Sequence, residues 1–465
     1  MDLAIVACYM IVTIIVGFIA GRKVKTMSDF AVASKKFPTS VLVSTVFATW
    51  MGGDDLVGVS ERIYSIGIIF FVVACAQTID LFVEAYIIAP KIIKDFSDKI
   101  SIGEIIGALY GKIGQVMCGI ANMLFSIGYV AVQVSAIGYI CNLLLGIPHF
   151  DGTLIGSLII IMYSSFGGIR SVVFTDVLQF TILMIGIPLI ANIALDKAGG
   201  WSCLLSNLPA NHLNVGPSHE SFKLCLMYFL FCTFPLSSPV MIQRILMAKG
   251  VQQATNSLAI SGILYIPFYA IVAIIALCAV ILFPGIDPNS AFLDVLDYSL
   301  PPIVKGIAIS GVLAVIMSTA DSFLNVSAIA AARDVFGVVW PNKLNDKTEL
   351  GIARAVTIVF GLSSVYIATM FHSMIDFSLY FSNFWAPTVI APMILYMFDL
   401  RTDKQTYLYS LCVGMISIIT YRYSVPEEFT IISQLVGMAV TLTCMIFFGK
   451  CFSTISRVKI KHAYA

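Results

Sequence analysis

The chain has 465 residues, of which 59% are hydrophobic and only 11% charged, with a mean hydropathy of +0.95 and a formal net charge of +1. A soluble domain carries roughly 25% charged residues, so this composition excludes one and marks an integral membrane protein. A net charge so near zero gives no argument for nucleic acid as a partner, and the eleven cysteines, mostly inside apolar runs, form neither a disulfide framework nor a metal-ligand spacing.

Apolar runs of about 20 residues, each long enough to cross a hydrocarbon core roughly 30 Å thick, predict about thirteen spanning helices. The first, 2–21, lacks a basic leader and a small-residue cleavage site before Gly21-Arg22-Lys23, so it is expected to be a retained helix and not a signal peptide. The second, 39–60, breaks at Gly52-Gly53-Asp54-Asp55. The third, 66–90, carries Asp80 and Glu84 one turn apart on one face, as a buried polar network or an ion path. The fourth, 115–146, carries Tyr129 and Gln133 at the same spacing, lining a cavity or forming a packing face. After 151–168 comes 172–195, with Asp176 too deep for an easy exit to solvent.

The seventh span, 221–243, breaks at Phe234-Pro235-Leu236-Ser237-Ser238-Pro239, where two prolines each remove a backbone donor. Span 254–283 precedes 302–331, in which Val315, Ser318 and Ser322 stack on one stripe with Thr319 beside them, an oxygen-lined face next to Asp321. The remaining spans are 351–371, 376–398, 406–421 and 429–449. With the N-terminus outside, about 22 of the 27 Lys and Arg residues fall on cytoplasmic stretches, Arg244 among them, leaving Arg62, Lys197, Lys223, Lys305 and Arg422 on the other side.

An Asp at the centre of a spanning helix costs roughly 2.5–3.5 kcal/mol, so two adjacent carboxylates require compensation. Non-helical backbone survives at that depth only inside protein or against a wet cavity. Glycine eases unwinding at Gly52 and Gly53, although a Gly-Gly pair also serves close helix packing. A bound cation answers the problem, because hard cations take the oxygens that unwound carbonyls, hydroxyls and carboxylates supply. Five spans separate the two breaks. Residues 39–196 and 221–400 are therefore expected to form two inverted five-helix repeats, each opening with a broken helix, as in transporters with midplane sites. Residues 1–38 would add an N-terminal helix and loop, and 401–465 two C-terminal helices with a short tail. No internal sequence repeat is legible.

At these residues the chain resembles the sodium:solute symporter family. The likeness is strongest in AVIMSTADSFLNVSAIAAARDVF (314–336), GGIRSVVFTDVLQ (167–179) and ATWMGGDDLVG (48–58). The resemblance implies an all-α membrane protein of leucine-transporter fold, with one helix ahead of two inverted five-helix halves, and sodium as coupling ion with no organic cofactor. It implies a principal sodium site formed by the carbonyls of Gly53, Leu56 and Val315 and the hydroxyls of Ser318 and Thr319. Asp55 matches the acidic residue that proline carriers need. A second sodium site, found in some relatives, would use Asp176, Asp321 and Ser322 and share Ser318; Asp321 stands where sialic-acid carriers have serine, and one or two ions per cycle are both compatible with the motifs.

For the solute, Trp50 followed by Gly-Gly resembles choline carriers, where aromatic faces hold a quaternary ammonium. The tryptophan those carriers place in the sixth core helix is replaced by Ser237 and Ser238. A proline-like or betaine-like zwitterion would set its carboxylate at a helix N-terminus and its other end against Trp50, with Asp55, Tyr129, Gln133, Ser237 and Ser238 completing the lining. The expected function is sodium-coupled import of a small organic solute across the plasma membrane (the inner membrane in a bacterium), with the N-terminus outside and the C-terminus cytoplasmic. The alternatives are a transporter-like sensor acting through a separate partner, since only about sixteen residues follow the last span and none forms a signalling module, and an intramembrane aspartyl protease using the paired aspartates.

Overall fold

The computed structural model describes residues 1–216, 218, 220–233, 238–341, 345–370, 383–426, 432–452 and 455–457. Among these, regular structure is helical except for a two-residue antiparallel pairing of Leu400–Arg401 with Ser456–Arg457. Eight helical runs are long and apolar enough to cross a membrane. The run Thr39–Trp50 falls short of that length because it ends at its break, and the expected spans 221–243 and 376–398 lie partly outside the described residues.

Helix α1 (Asp2–Gly21) leads to a short helix, Met27–Val32, whose start is fixed by reciprocal capping between Thr26 and Asp29. Helix α2 (Thr39–Trp50) then ends where expected: Met51 is extended, and the chain resumes as a π-helical turn, Asp54–Gly58, before α3 (Val59–Ile66). Helix α4 (Ile69–Val83) widens into a second π-helical turn over Glu84–Ile88. Helix α5 (Ile102–Leu145) is capped by the Ser101 hydroxyl at its start and by left-handed Gly146 at its end.

The expected spans 151–168 and 172–195 are two limbs of one run, α6 (His149–Lys197), bent at Gly168. There φ is 51° and ψ −145°, a conformation open essentially to glycine, and a Cβ would meet Phe30 Cδ2 at 2.4 Å and the Phe30 carbonyl oxygen at 2.7 Å. Helices α7 (Phe222–Thr233) and α8 (Pro239–Met247) lie on either side of the expected second break, with Pro239 at the first turn of α8, where its missing N–H costs nothing. Residues 234–237, including Ser237, lie outside the described residues.

Helix α9 (Val251–Leu282) is followed by α10 (Val304–Ile329), which is buried continuously from Ala308 and packs against α5, α6 and α2. Helices α11 (Asp346–Ala368), α12 (Lys404–Ser424) and α13 (Ser433–Cys451) complete the bundle. Apolar side chains such as Ile15, Ile19, Tyr366, Ile416 and Phe447 are exposed on the outer helices, the pattern of a perimeter solvated by lipid. The polar groups Ser318, Thr319, Asp321 and Ser322 instead lie in the bundle centre on α10, where partner helices can satisfy them.

Candidate cation and solute site

The break after α2 leaves backbone N–H groups that no helix satisfies, and two side chains take them up. Asp55 Oδ2 accepts from the Gly52 N–H at 3.0 Å, and Gln133 Oε1 on α5 accepts from the Gly53 N–H at 3.0 Å. Asp55 Oδ1 accepts from the Tyr269 hydroxyl on α9 at 2.7 Å and from the Gln77 amide on α4 at 3.1 Å, and Tyr269 also donates to Gln77 Oε1. Asp55, only 4% exposed, is thus compensated by donors from the unwound segment, α4 and α9 converging on one carboxylate. Its geometry is that of a brace for the unwound segment, with both oxygens already engaged by the protein.

On the opposite side, the oxygen face of α10 presses on the end of α2. The Ser318 hydroxyl lies 2.7 Å from the carbonyl oxygens of both Ala48 and Val315. The Thr319 hydroxyl lies 3.0 Å from the Met51 carbonyl, 3.1 Å from that of Thr49 and 3.4 Å from that of Val315. Two hydroxyl protons cannot serve four carbonyls at once, so the junction holds more lone pairs than protons. That surplus of hard oxygen in a buried place is the donor set an alkali cation requires. Val315, Ser318 and Thr319 come together as the motif implied. On the α2 side the carbonyls they meet are those of Ala48, Thr49 and Met51, and not the Gly53 and Leu56 carbonyls that the resemblance implied. Gly53 itself packs on α10, where a Cβ would lie 3.1 Å from Ile316 Cγ1.

One turn further along α10 the remaining candidates form a second buried cluster. Asp321 Oδ2 accepts from the Tyr163 hydroxyl at 2.6 Å and lies 3.5 Å from that of Thr175, while Ser322 Oγ is 3.4 Å from Asp321 Oδ1 and 3.0 Å from Thr49 Oγ1. Asp176, fully buried, is bonded by the Thr45 hydroxyl and ion-paired with Arg244 at 3.5 Å. Arg244 was expected on a cytoplasmic stretch, one residue past the end of its span. Its head meets no interface in the structure: Arg244 is 1% exposed and points inward from α8. A basic residue at a span end ordinarily turns its head to the interface, and here packing turns it the other way.

The candidate solute residues divide. Trp50 is half-buried beside the break, and its indole N–H has no partner among the described residues; the Ser238 hydroxyl, at the start of α8, is likewise buried without one. Tyr129 stacks on Phe323 of α10 at 4.6 Å and packs on Phe125 at 4.8 Å, and Phe125 stacks on Trp385 at 5.5 Å. Gln133 serves the unwound backbone, as above. Sequence reasoning missed Gln77, Tyr269, Arg244, Thr45, Thr49 and the aromatic partners Phe125, Phe323 and Trp385. Gln77 left one legible signal, standing three residues before Asp80 on a stripe that continues to Glu84; both carboxylates are buried on that face of the α4 run.

Comparison with known proteins fits this geometry. The model of a family described as the sodium:solute symporter family matches residues 30–414. The chain is 27% identical over 389 residues to the high-affinity choline transporter 1 of Drosophila melanogaster, covering 78% of this chain and 61% of that protein, so it spans about three fifths of that relative's length. It is 20% identical over 451 residues to the high-affinity proline transporter PutP of Bacillus subtilis (strain 168), covering 93% of this chain and 94% of the relative. A Na+-coupled sialic acid symporter solved in a substrate-bound outward-open state superimposes with a TM-score of 0.87 at 19% identity, over 98% of this chain and 99% of the other. The nucleobase-cation-symport-1 transporter Mhp1 superimposes at 0.61 and 13% identity, over 91% and 95%. The fold is therefore the leucine-transporter-like bundle expected, in a multi-pass membrane protein.

Proposed function

The chain belongs to the sodium:solute symporter family, and from that premise we propose that it carries a small organic solute across the plasma membrane together with sodium, by alternating access. The observation that carries the ionic half is the junction of α2 and α10, where the Ser318 and Thr319 hydroxyls meet four backbone carbonyls. Sodium there would be held by those hydroxyls and by the carbonyls of Val315, Ala48, Thr49 and Met51. It would fasten the unwound segment, which Asp55 and Gln133 already brace, to the central helix. Ion and solute would then favour the same state of the segment and so favour each other's binding.

The driving force is adequate. At roughly 100 mV an entering charge contributes about 2.3 kcal/mol, and a tenfold sodium gradient contributes about 1.4 kcal/mol. Together they sustain several hundredfold accumulation per ion. For the solute, the half-buried Trp50 face suits a cationic or apolar end, and the indole N–H and Ser238 hydroxyl, without partners among the described residues, suit a carboxylate or hydroxyl oxygen, which favours a proline-like or betaine-like zwitterion or choline-type cation. Tyr129 and Asp55 complete the proposed lining, Asp55 through its hold on the backbone. Residues 39–196 and 221–400 would be the two inverted repeats, with the N-terminus outside. The aspartyl-protease alternative is set aside: the family is one of carriers, and both Asp55 oxygens are committed to the fold.

The test is uptake into liposomes reconstituted with the full chain, from a panel of labelled proline, choline, glycine betaine, pantothenate and sugars, with and without an inward sodium gradient. Sodium-dependent accumulation of one compound supports symport. Sodium-dependent binding without flux would point to a sensor.

A further inference from the structure

Of the residues that would ligate a second sodium, two are already bound to a positive charge. Arg244 Nη2 donates to Ser322 Oγ at 2.5 Å and to Thr49 Oγ1 at 2.7 Å, and pairs with Asp176 Oδ2 at 3.5 Å. The guanidinium is held there from behind. Its Nη1 donates to Gln243 Oε1 at 2.8 Å, while Gln243 Nε2 donates at 2.8 Å both to the Ala31 carbonyl and to Asn325 Oδ1. Neither Arg244 nor Gln243 has solvent to swing into, since both are buried.

We propose that Arg244 is a resident cation that fills the second cation position, so that the carrier binds a single sodium ion, at the α2–α10 junction. The proposal rests on the sodium-coupled reading above and fixes its stoichiometry. A sodium ion among Asp176, Asp321 and Ser322 would have to share Ser322 and Asp176 with a fixed positive charge in a medium that screens poorly, and like charges at such distances repel strongly. The guanidinium supplies what a bound ion would: countercharge for a buried aspartate, and a link from α8 to α2, α6 and α10. Unlike an ion it cannot leave, because its guanidinium keeps its proton and its side chain is attached to α8. One ion per cycle then enters and leaves, while the second position is permanently occupied.

The test needs no solute. Equilibrium 22Na+ binding to the purified full chain should saturate at one ion per chain with a Hill coefficient near one, and Asp321→Asn should leave that number unchanged. Arg244→Gln should free the second position, raising the stoichiometry to two with a Hill coefficient above one. Arg244→Gln/Asp176→Asn, which removes both charges and keeps the fold free of an uncompensated aspartate, should return it to one. Two ions on the unaltered chain, one of them lost in Asp321→Asn, would overturn the resident cation and leave sodium coupling standing. No sodium on the unaltered chain would overturn the sodium-coupled reading, and this proposal with it. If Arg244→Gln does not fold, the unaltered chain and Asp321→Asn still decide the matter.

Discussion

Asp55→Asn is the most informative single change, because it alters charge and not volume at the point where the unwound segment, α4 and α9 converge. The carboxylate accepts three hydrogen bonds, from the Gly52 N–H, the Tyr269 hydroxyl and the Gln77 amide. Bonds to a charged acceptor contribute about 1.5–3 kcal/mol and neutral ones about 0.5–1.5, so neutralisation weakens each by about 1 kcal/mol and the set by about 3. An asparagine also presents an amide donor to partners that donate. A loss of about 3 kcal/mol in the braced form of the unwound segment is roughly a hundredfold loss of apparent sodium affinity. Tyr269→Phe removes one whole bond to the charged carboxylate and should cost about 1.5–3 kcal/mol, or roughly ten- to a hundredfold. The assay is 22Na+ binding isotherms on purified protein, with the circular dichroism spectrum confirming that helix content is kept. If Asp55→Asn binds sodium within twofold of the unaltered chain, the brace does not govern the ion site and the coupling argument fails.

Ser318→Ala and Thr319→Ala should each raise the sodium concentration for half-maximal binding at least tenfold, because each removes a direct oxygen donor; Ser310→Ala, on the same helix, removes only a bond back to Gly306 and should change it little. Equal effects across the three in the same isotherms would point to packing. Trp50→Ala should weaken the accumulated solute about tenfold or more in competition binding while sodium affinity without solute stays unchanged, and parallel losses of both would place Trp50 in the fold instead. Gly168→Ala meets both a forbidden backbone angle and Phe30, a combined cost of about 2 kcal/mol or more, so its melting temperature in detergent should fall by several degrees. Gly186→Ala, on the same helix with open space at the Cβ, is the control, and equal melting temperatures would refute the strain argument.

Much of the architecture was legible because membranes make it a local matter. Hydropathy marks the spans, and Gly52-Gly53 marks the break after α2, since lipid forces every other stretch to satisfy its own backbone. The oxygen stripe of Val315, Ser318, Thr319 and Ser322 was equally local, because helical spacing alone puts those groups on adjoining faces. Where α6 bends was half-legible: two spans were expected, and one glycine in a conformation other residues avoid joins them into a single bent run.

What the sequence could not reveal is who meets these groups. Tyr269 reaches Asp55 across 214 residues of chain, Gln133 reaches Gly53 across 80 and Arg244 reaches Thr49 across 195. Arg244 shows the difference most plainly. A charged residue at the end of an apolar run reads as an interfacial anchor, and its hydropathy is the same whichever way it points. Only the packing of α8 against α2, α6 and α10 decides the direction, because only there do Asp176, Ser322 and Thr49 together offset the desolvation of a guanidinium. Composition and periodicity therefore determined that this chain spans a membrane and where it opens a polar site, while tertiary structure decided which charge stands inside it.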